Sequence, residues 1–305
     1  YKGALALASA ILAAGWGSFC RHVLGQRFVR KRVRSFEMMI DLDDRGISRT
    51  LLLFGRREEE HMLILRRFLR SGMTVFDIGA NIGYYVLIER DLIGEAGHIV
   101  AIEPSPSNVE LLRRNLELNA VTNVTLLEMG VSNRAGQQTF HLSHQSNLNT
   151  FHPIGSVVPH LNERVIEVEI ESVPGMVRRV GRVPDLIRMD VEGHEVEIIE
   201  GLLPAIEAGK MAPMILFETH LSRYTAEHDL EPTLRRLLAL GYKVRMAASS
   251  SEIGTQRVES YGYRGEPPFE TDLMSRAIFE NIATEDAIEL ICKQGGLRAV
   301  LLARP

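Results

Sequence analysis

Short apolar runs, each typical of a buried strand, alternate along the chain with longer segments in which apolar residues recur every three or four positions, as on a helix face. The predicted strands are 74–78, 98–103, 124–129, 186–190, 214–219, 243–248 and 297–303. The predicted helices are 58–69, 83–93, 106–118, 192–203, 231–240 and 284–294. This order predicts a doubly wound α/β fold, in which helices cover both faces of a mostly parallel seven-stranded sheet.

Two regions within this pattern differ from it. Residues 132–184 form an insertion between the third and fourth strands. Within it, 137–141 and 165–172 alternate apolar and polar positions, which predicts a hairpin added beside the sheet. Residues 249–283 are polar and rich in glycine and proline, which is typical of a long loop or lid.

The chain divides into an amino-terminal extension, 1–56, and one large domain, 57–305. The extension contains, in order, an apolar helix, a basic segment and the two strands of a predicted hairpin, at 3–16, 27–34, 36–41 and 48–53. The apolar stretch is shorter than the ~20 residues that span a bilayer as a helix. Two interpretations stay open: the extension packs on the domain or on a partner, including a second copy, or residues 1–34 make a peripheral contact with a membrane surface.

The first sheet strand ends in a glycine-rich turn, within the sequence TVFDIGANIGYY. A dinucleotide fingerprint has glycines in the order G-x-G-x-x-G, but counted from Gly79 the second and third places hold Asn81 and Tyr84, so the fingerprint fails. Asp77 precedes the turn, and its carboxylate would repel a pyrophosphate but suits the ammonium of an amino-acid moiety. The next strand ends in Glu103, beside the turn, where it suits a ribose diol. These features favour S-adenosylmethionine as the cofactor.

Four segments of the chain together resemble the FkbM family of S-adenosylmethionine-dependent methyltransferases: VFDIGANIGYY, IEPSPSNVELLRRNLELN, LIRMDVEGHEVEIIEG and MILFETH. The resemblance covers 57–245, and its most specific piece is the DVEG sequence at 190–193. It implies a class I, Rossmann-like fold whose last strand lies antiparallel beside the fifth, with S-adenosylmethionine as cofactor. It also implies O-methylation of a hydroxyl on a small molecule or glycan. The insertion is particular to this chain, and we expect it to select the acceptor.

The predicted cofactor-binding residues lie in the glycine turn, at the end of the second strand and at DVEG; they are Asp77, Gly79, Asn81, Gly83, Tyr84, Glu103, Pro104, Asn108 and Asp190. An ordinary strand-to-helix turn is the alternative for the first part of this set. The resemblance places Asn108 near the adenosine, where capping of the helix is the alternative. Asp190 could face the methyl sulfonium, cap the helix predicted from Glu192, or do both.

Ionisable side chains cluster at the ends of the fourth and fifth strands, and the catalytic candidates are Asp190, His194, Glu218 and His220. An acceptor hydroxyl must lose a proton when it is methylated, and an unperturbed imidazole has a pKa near the working pH. His220 is the preferred base because a strand end is rigid, and His194 is second. For each histidine alone, a surface or core role is the alternative. Four histidines of the insertion either contact substrate or face solvent: His141, His144, His152 and His160.

The same strand ends offer oxygen ligands and an imidazole to a divalent metal, from Asp190, Glu192, Glu218 and His220. A metal-assisted O-methyltransferase, with Mg²⁺ or Mn²⁺ bridging a diol, is therefore an alternative mechanism. Because no tight ligand motif is present, we assign no metal ligand.

The composition narrows the classes of function. A chain of 305 residues with a net charge of −4, 45% apolar and 24% charged residues is typical of a soluble globular protein. That charge argues against a nucleic-acid partner, which needs a basic face. Only Cys20 and Cys292 are present, so no disulfide framework is predicted, and we expect a cytoplasmic location, membrane-associated if the extension binds lipid. A non-catalytic cofactor-binding module that recruits a membrane or partner is the alternative to an enzyme.

Overall fold

The computed structural model describes residues 4–152, 164–271 and 274–305, so His160 and the middle of the insertion lie outside the described residues. In chain order the strands are β1 (Phe28–Val33), β2 (Phe36–Asp41), β3 (Thr74–Ile78), β4 (His98–Ile102), β5 (Val124–Leu127), β6 (Gly130–Val131), β7 (Gly136–Leu142), β8 (Arg164–Glu171), β9 (Leu186–Met189), β10 (Met214–Glu218), β11 (Lys243–Ser249), β12 (Phe269–Thr271), β13 (Met274–Arg276), β14 (Ile278–Glu280) and β15 (Leu297–Ala303). The α-helices are α1 (Ala4–His22), α2 (Ile47–Phe54), α3 (Glu59–Phe68), α4 (Tyr84–Ile93), α5 (Pro106–Leu118), α6 (Val173–Val180), α7 (Glu195–Glu207), α8 (Leu230–Ala239), α9 (Glu252–Ser260) and α10 (Thr284–Ile288).

Eight strands form the main sheet, in the order β14-β11-β15-β10-β9-β3-β4-β5. The strands from β10 to β5 are parallel to one another, and β15 runs antiparallel between β10 and β11. The doubly wound α/β prediction is confirmed, including the antiparallel last strand beside the fifth. The sheet has one strand more than predicted, because β14 pairs with β11 and buries Ile278 and Phe279 in a segment predicted as loop.

The apolar core lies on both faces of this sheet, since successive side chains of a strand point to opposite faces. On β3, Phe76 packs into a cluster with α7 and α8, whereas Val75 packs into a second cluster with α3, α4 and α5. Both faces being covered explains why the central strands read as continuous apolar runs. The carboxyl ends of β3, β4 and β9 therefore meet at one edge of the sheet, where polar side chains follow the strands.

The amino-terminal extension differs from its prediction. The hairpin forms between β1 and β2, so the basic segment is itself a strand, with Val29 and Val33 buried and arginines between them. Residues 48–53, predicted as a strand, belong to the helix α2 instead. Ile47 and Leu51 lie one helical turn apart on its buried side, and Gly55 ends it in the left-handed conformation at φ 66°. The short apolar run fits the period of a strand as well as that of a helix. The burial of Ile47 and Leu51 on one side favours the helix.

The helix α1 packs on the domain along one side and is exposed along the other. Ala10 and Cys20 are buried, and Gly17 lies against α2. The exposed side carries large apolar residues, which are Leu7, Ile11, Leu12, Trp16 and Phe19. Within the parts of the chain that the structure describes, no helix has both the length and the apolar character to cross a bilayer. Contact of this side with a membrane or a partner stays a prediction.

The insertion contains the predicted hairpin. β7 and β8 pair antiparallel, β6 joins β8, and Phe140, Val168 and Ile170 form a small apolar cluster under them. The long loop predicted at 249–283 is wrong, because its described residues include α9 and the strands β12, β13 and β14. Glycine and proline in this segment separate short elements rather than keep it irregular.

Candidate active site

A cavity opens at the carboxyl ends of β3, β4 and β9 and encloses about 740 Å³ of non-protein space, counting its mouth. Six of the predicted cofactor residues line it: Gly79, Asn81, Tyr84, Glu103, Pro104 and Asp190. The other three, Asp77, Gly83 and Asn108, lie behind its wall. The strand edge predicted from the sequence therefore coincides with a cavity next to the glycine turn.

The glycine turn brings backbone unusually close to the neighbouring strand end. Gly79 has φ 78°, and a Cβ there would lie 2.3 Å from the backbone oxygen of Asp190. Gly83 has φ 87° and packs on Leu112, where a Cβ would lie 2.3 Å from a methyl carbon. Both positions require glycine because of conformation and space. The turn thus forms a cradle that side chains would fill.

Glu103 is fixed by three donors. Its carboxylate accepts hydrogen bonds from the backbone nitrogens of Asn81 (2.9 Å) and Ser105 (3.0 Å) and from Asn108 Nδ2 (3.2 Å). Burial raises the pKa of Glu103 to about 7, against the opposing effect of these hydrogen bonds. Asn108 therefore positions Glu103 rather than lining the cavity itself. A carboxylate held in this way keeps lone pairs for the hydroxyls of a diol.

Asp77 does not reach the cavity, which corrects the expectation that it contacts an ammonium. It is fully buried, and its Oδ1 accepts a hydrogen bond from Arg188 Nη1 at 2.9 Å. Arg188 also reaches Asp190 at 3.4 Å, and its guanidinium carbon lies 3.8 Å from the centre of the Tyr85 ring. A buried carboxylate needs a paired cation, and Arg188 is that partner. The feature of the sequence that could have indicated this pairing is Arg188 itself, an arginine inside the otherwise apolar strand β9.

The residues around the cavity fit S-adenosylmethionine. Glu103 would hold the ribose diol, and Met129 with Phe151 would pack against the adenine. Arg57 and Arg188, both in the wall, would pair with the carboxylate of the methionine moiety. Asp190, also in the wall, would face its positive charges. The wall thus offers partners of complementary charge to the ribose diol, the carboxylate and the cationic groups of the cofactor.

The predicted ionisable cluster is present beside the cavity. His220 Nε2 lies 3.9 Å from Asp190 Oδ1, 3.9 Å from Glu192 Oε2 and 3.7 Å from Glu218 Oε1. Asp190 and Glu192 line the cavity, and Glu218 and His220 stand behind them. Asp190 does not cap a helix at Glu192, because α7 begins only at residue 195. We call these four residues the acidic rim.

Glu195, which the sequence reasoning missed, holds His220 from the other side. Its Oε1 lies 2.8 Å from His220 Nδ1, and Tyr224 donates to its Oε2 at 3.4 Å. Burial by itself would lower the pKa of His220, but the carboxylates of Glu195, Glu192 and Glu218 outweigh it and raise the pKa to about 10. The expectation of an unperturbed imidazole is therefore corrected: His220 is charged at neutral pH. The feature of the sequence that could have identified Glu195 is its position three residues after Glu192.

His194 does not join the acidic rim. It is fully buried, does not line the cavity, and lies with Nδ1 3.2 Å from His152 Nε2. Burial lowers the pKa of His194 to about 4, so the ring is neutral at physiological pH. His194 and His220 thus belong to different groups of side chains, and His194 packs on Phe151 in the cavity wall, with the two ring centres 4.5 Å apart.

The chain is similar to known methyltransferase sequences. The family model of the methyltransferase FkbM domain matches residues 77–244, more than half of the chain. The hexuronic acid methyltransferase AglP of Haloferax volcanii is 26% identical over 156 residues, which cover 50% of this chain and 59% of AglP. A protein-L-isoaspartate O-methyltransferase of Methanothrix thermoacetophila is 27% identical over 130 residues, which cover 43% of this chain and 58% of that protein. The chain thus spans less than two thirds of either relative.

Among solved structures, an FkbM methyltransferase of Methylobacillus flagellatus is 16% identical, with a TM-score of 0.37 over 88% of this chain and 58% of that chain. The match of the family model covers the glycine turn, Glu103 and the acidic rim together. The resemblance read from the sequence is confirmed: the chain belongs to the FkbM family of methyltransferases, and its cofactor is S-adenosylmethionine.

Proposed function

We propose that the chain transfers a methyl group from S-adenosylmethionine to a hydroxyl of a small molecule or glycan that also carries a negative charge. The observation that supports a hydroxyl acceptor is the acidic rim. There, Asp190 and Glu192 line the cofactor cavity within 3.9 Å of His220. A hydroxyl gives up a proton on methylation, so it needs proton-accepting groups at this point. A carboxylate acceptor needs no base, and the rim would repel it.

A second cavity supports the negative charge on the acceptor. It shares Arg57, Glu58 and Asn147 with the cofactor cavity. Its described lining includes four arginines and one carboxylate; the arginines are Arg45, Arg57, Arg276 and Arg298. Arg57, Arg276 and Arg298 already pair with Glu58 and Glu60. The exposed Arg45 is therefore the guanidinium of this cavity that is best placed to bind a carboxylate or phosphate group in a bidentate manner. The name of the relative AglP, a hexuronic acid methyltransferase, supports an acceptor of this chemistry.

The proposed chemistry is a direct displacement. When bound, the cofactor supplies an electrophilic methyl group: the acceptor oxygen forms the new O–C bond while the S–C bond breaks and its electron pair stays on sulfur. Asp190 and Glu192 orient the hydroxyl, and the acidic rim takes up its proton. Because these groups interact strongly, the proton is shared by the residues of the acidic rim rather than held by one of them. His220, held by Glu195, sets the net charge of the acidic rim.

The test uses S-adenosylmethionine labelled in its methyl group and a panel of uronic acids, sugar phosphates and neutral sugars. We expect label transfer that favours the anionic sugars, and a product that survives mild base, as an ether does and a methyl ester does not. Arg45→Gln should raise the KM for an anionic acceptor and leave that for a neutral one unchanged. Transfer to a base-labile ester would contradict the hydroxyl assignment. Cofactor binding without any transfer would favour the non-catalytic recruitment module.

A metal-assisted reaction is the second candidate, since ligand atoms of Asp190, Glu218 and His220 lie within 4.8 Å of one another. If Mg²⁺ or Mn²⁺ bridged these residues and a diol, chelation would abolish turnover and added Mg²⁺ would restore it. Turnover that persists after chelation, with cofactor binding intact, would remove this mechanism.

A further inference from the structure

Three imidazoles and one carboxylate meet near the start of α7, next to Phe151 in the wall of the cofactor cavity. They belong to separate parts of the chain: His152 follows β7 in the insertion, His194 and Glu197 begin α7, and His228 precedes α8. None of the four lines the cofactor cavity. We call these four residues the histidine cluster.

Ligand atoms of His152, Glu197 and His228 lie within 4.8 Å of one another, and His194 adjoins this group. His194 Nδ1 lies 3.2 Å from His152 Nε2 and 3.3 Å from Glu197 Oε2. Glu197 Oε1 lies 3.2 Å from His228 Nδ1 and 3.8 Å from His152 Nε2. Zinc bonds of about 2.0–2.1 Å in a tetrahedron place neighbouring ligand atoms about 3.3 Å apart. Three of these four separations match that spacing, and the fourth is longer.

The hydrogen-bond partners outside the cluster fix which atoms face inwards. His228 Nε2 lies 2.7 Å from the backbone oxygen of Gly193, which only accepts, so Nε2 carries a proton. In the neutral ring, Nδ1 then presents a lone pair to the Glu197 carboxylate, an arrangement that needs a proton or a cation between the two. Glu197 Oε2 is buried and has no hydrogen-bond partner. His194 Nε2 contacts Ser132 Oγ at 3.1 Å, as outer contacts of metal-bound histidines do.

A proton alone satisfies this cluster only in part. One proton between Glu197 and His228 leaves the buried Glu197 Oε2 without a hydrogen-bond partner. The other charged groups near His152 are Glu195 and Arg223. A dication that binds His152 and His194 as well as the Glu197–His228 pair accounts for all four groups.

We infer that His152, His194, Glu197 and His228 form a structural zinc site. Four protein ligands complete a tetrahedron and leave no open position, which is the pattern of structural rather than catalytic zinc. The site would tie the insertion to the start of α7. Thr150 Oγ1 donates to the backbone oxygen of Glu192 at 3.1 Å, and Phe151 lines the cofactor cavity, so zinc would also fix this wall.

The test is metal binding by the full chain, freed of metal by chelation and carrying no histidine tag. At neutral pH we expect one Zn²⁺ per chain by calorimetry, and with Co²⁺ the visible absorption bands of a tetrahedral complex. The double variant His152→Gln/His228→Gln should bind Zn²⁺ at least about 100-fold more weakly, since even outer-contact changes cost 10–100-fold. His144→Gln, an exposed histidine of the same insertion, is the matched control and should bind as the wild type does.

Two results would overturn the zinc site. One is a wild-type chain that binds no stoichiometric Zn²⁺ or gives octahedral Co²⁺ bands. The other is Zn²⁺ binding that persists in the double variant, including the case in which only Asp190→Asn removes it, because the metal would then sit at the acidic rim. If the double variant does not fold, Glu197→Gln, which keeps the shape of the side chain, provides the same comparison. The wild-type Co²⁺ spectrum decides in either case.

Discussion

The acidic rim and the histidine cluster share one short segment, DVEGHEVE at 190–197. The pKa values of their imidazoles are nevertheless shifted in opposite directions. Asp190, Glu192 and Glu195 face His220, whose pKa is raised to about 10, and His194 faces two other imidazoles and has a pKa lowered to about 4. Burial lowers the pKa of both rings, so the neighbours decide the outcome. The carboxylates around His220 outweigh burial and keep that ring charged, whereas at His194 burial outweighs the carboxylates of Glu197 and Glu195 and keeps the ring neutral.

The difference assigns different work to the two regions. The acidic rim borders the cofactor cavity and can exchange a proton with an acceptor. The residues of the histidine cluster do not line that cavity, and three of them hold ligand atoms within 4.8 Å of one another. Histidine identity in the sequence therefore says little about role, and the charge of the surrounding residues says much.

The largest effect should come from His220→Gln. Losing the imidazole of the acidic rim should lower turnover by about 10²- to 10⁴-fold, the usual contribution of a positioned acid–base group. Binding of S-adenosylhomocysteine, measured by calorimetry, should stay near the wild-type value, because His220 does not line the cavity. His144→Gln serves as the control. Near wild-type turnover at saturating substrate would remove His220 from the mechanism.

Glu103→Ala tests cofactor binding without changing a residue of the acidic rim or of the histidine cluster. We expect cofactor affinity to fall by about 1.5–3 kcal/mol, the scale for hydrogen bonds to a charged group. Calorimetric titration with S-adenosylhomocysteine measures the change, and circular dichroism checks the fold. Unchanged affinity in a folded variant would refute the assignment of Glu103 to the ribose.

The pH profile of turnover tests the charge of His220. Below a pKa of about 10 the ring is protonated, and burial raises the pKa of Glu218 to about 8, so both groups gain proton-accepting capacity only as pH rises. We expect turnover to increase through the alkaline range, whereas an unperturbed imidazole would reach its plateau near about pH 7.5. Glu195→Gln should move the rise to lower pH by about 1 to 3 pH units. A profile that is flat above neutral pH would contradict this.

The smallest effect on turnover should come from His194→Gln, which we expect to stay within about tenfold of wild type, below the contribution of a positioned base. Its effect should appear in acid stability instead. The folded pKa of His194, about 4, lies below the unfolded value, so the unfolded state binds more protons and stability is lost as pH falls from about 6.5 towards 4. Urea unfolding in chelator across this range should show a weaker pH dependence in the variant.

The sequence predicted what is local and missed what the fold brings together. The glycine turn and Glu103 could be found because they follow adjacent strands of one βαβ unit. The pairing of Asp77 with Arg188 joins two strands separated by 111 positions in sequence, and the meeting of Glu195 with His220 depends on which strands are neighbours. Residues 48–53 satisfied both strand and helix periods, so packing against β2 and α1 had to decide.

The most direct test of this contrast is the protonation state of the two rings, observed by nitrogen-15 NMR on histidine-labelled, metal-free protein. His220→Gln and His194→Gln would assign the two signals. We predict that at neutral pH His220 shows two protonated ring nitrogens and that His194 shows one, remaining neutral down to about pH 5. Two rings that both titrate near the ordinary histidine pKa, or a neutral His220 beside a charged His194, would contradict the account.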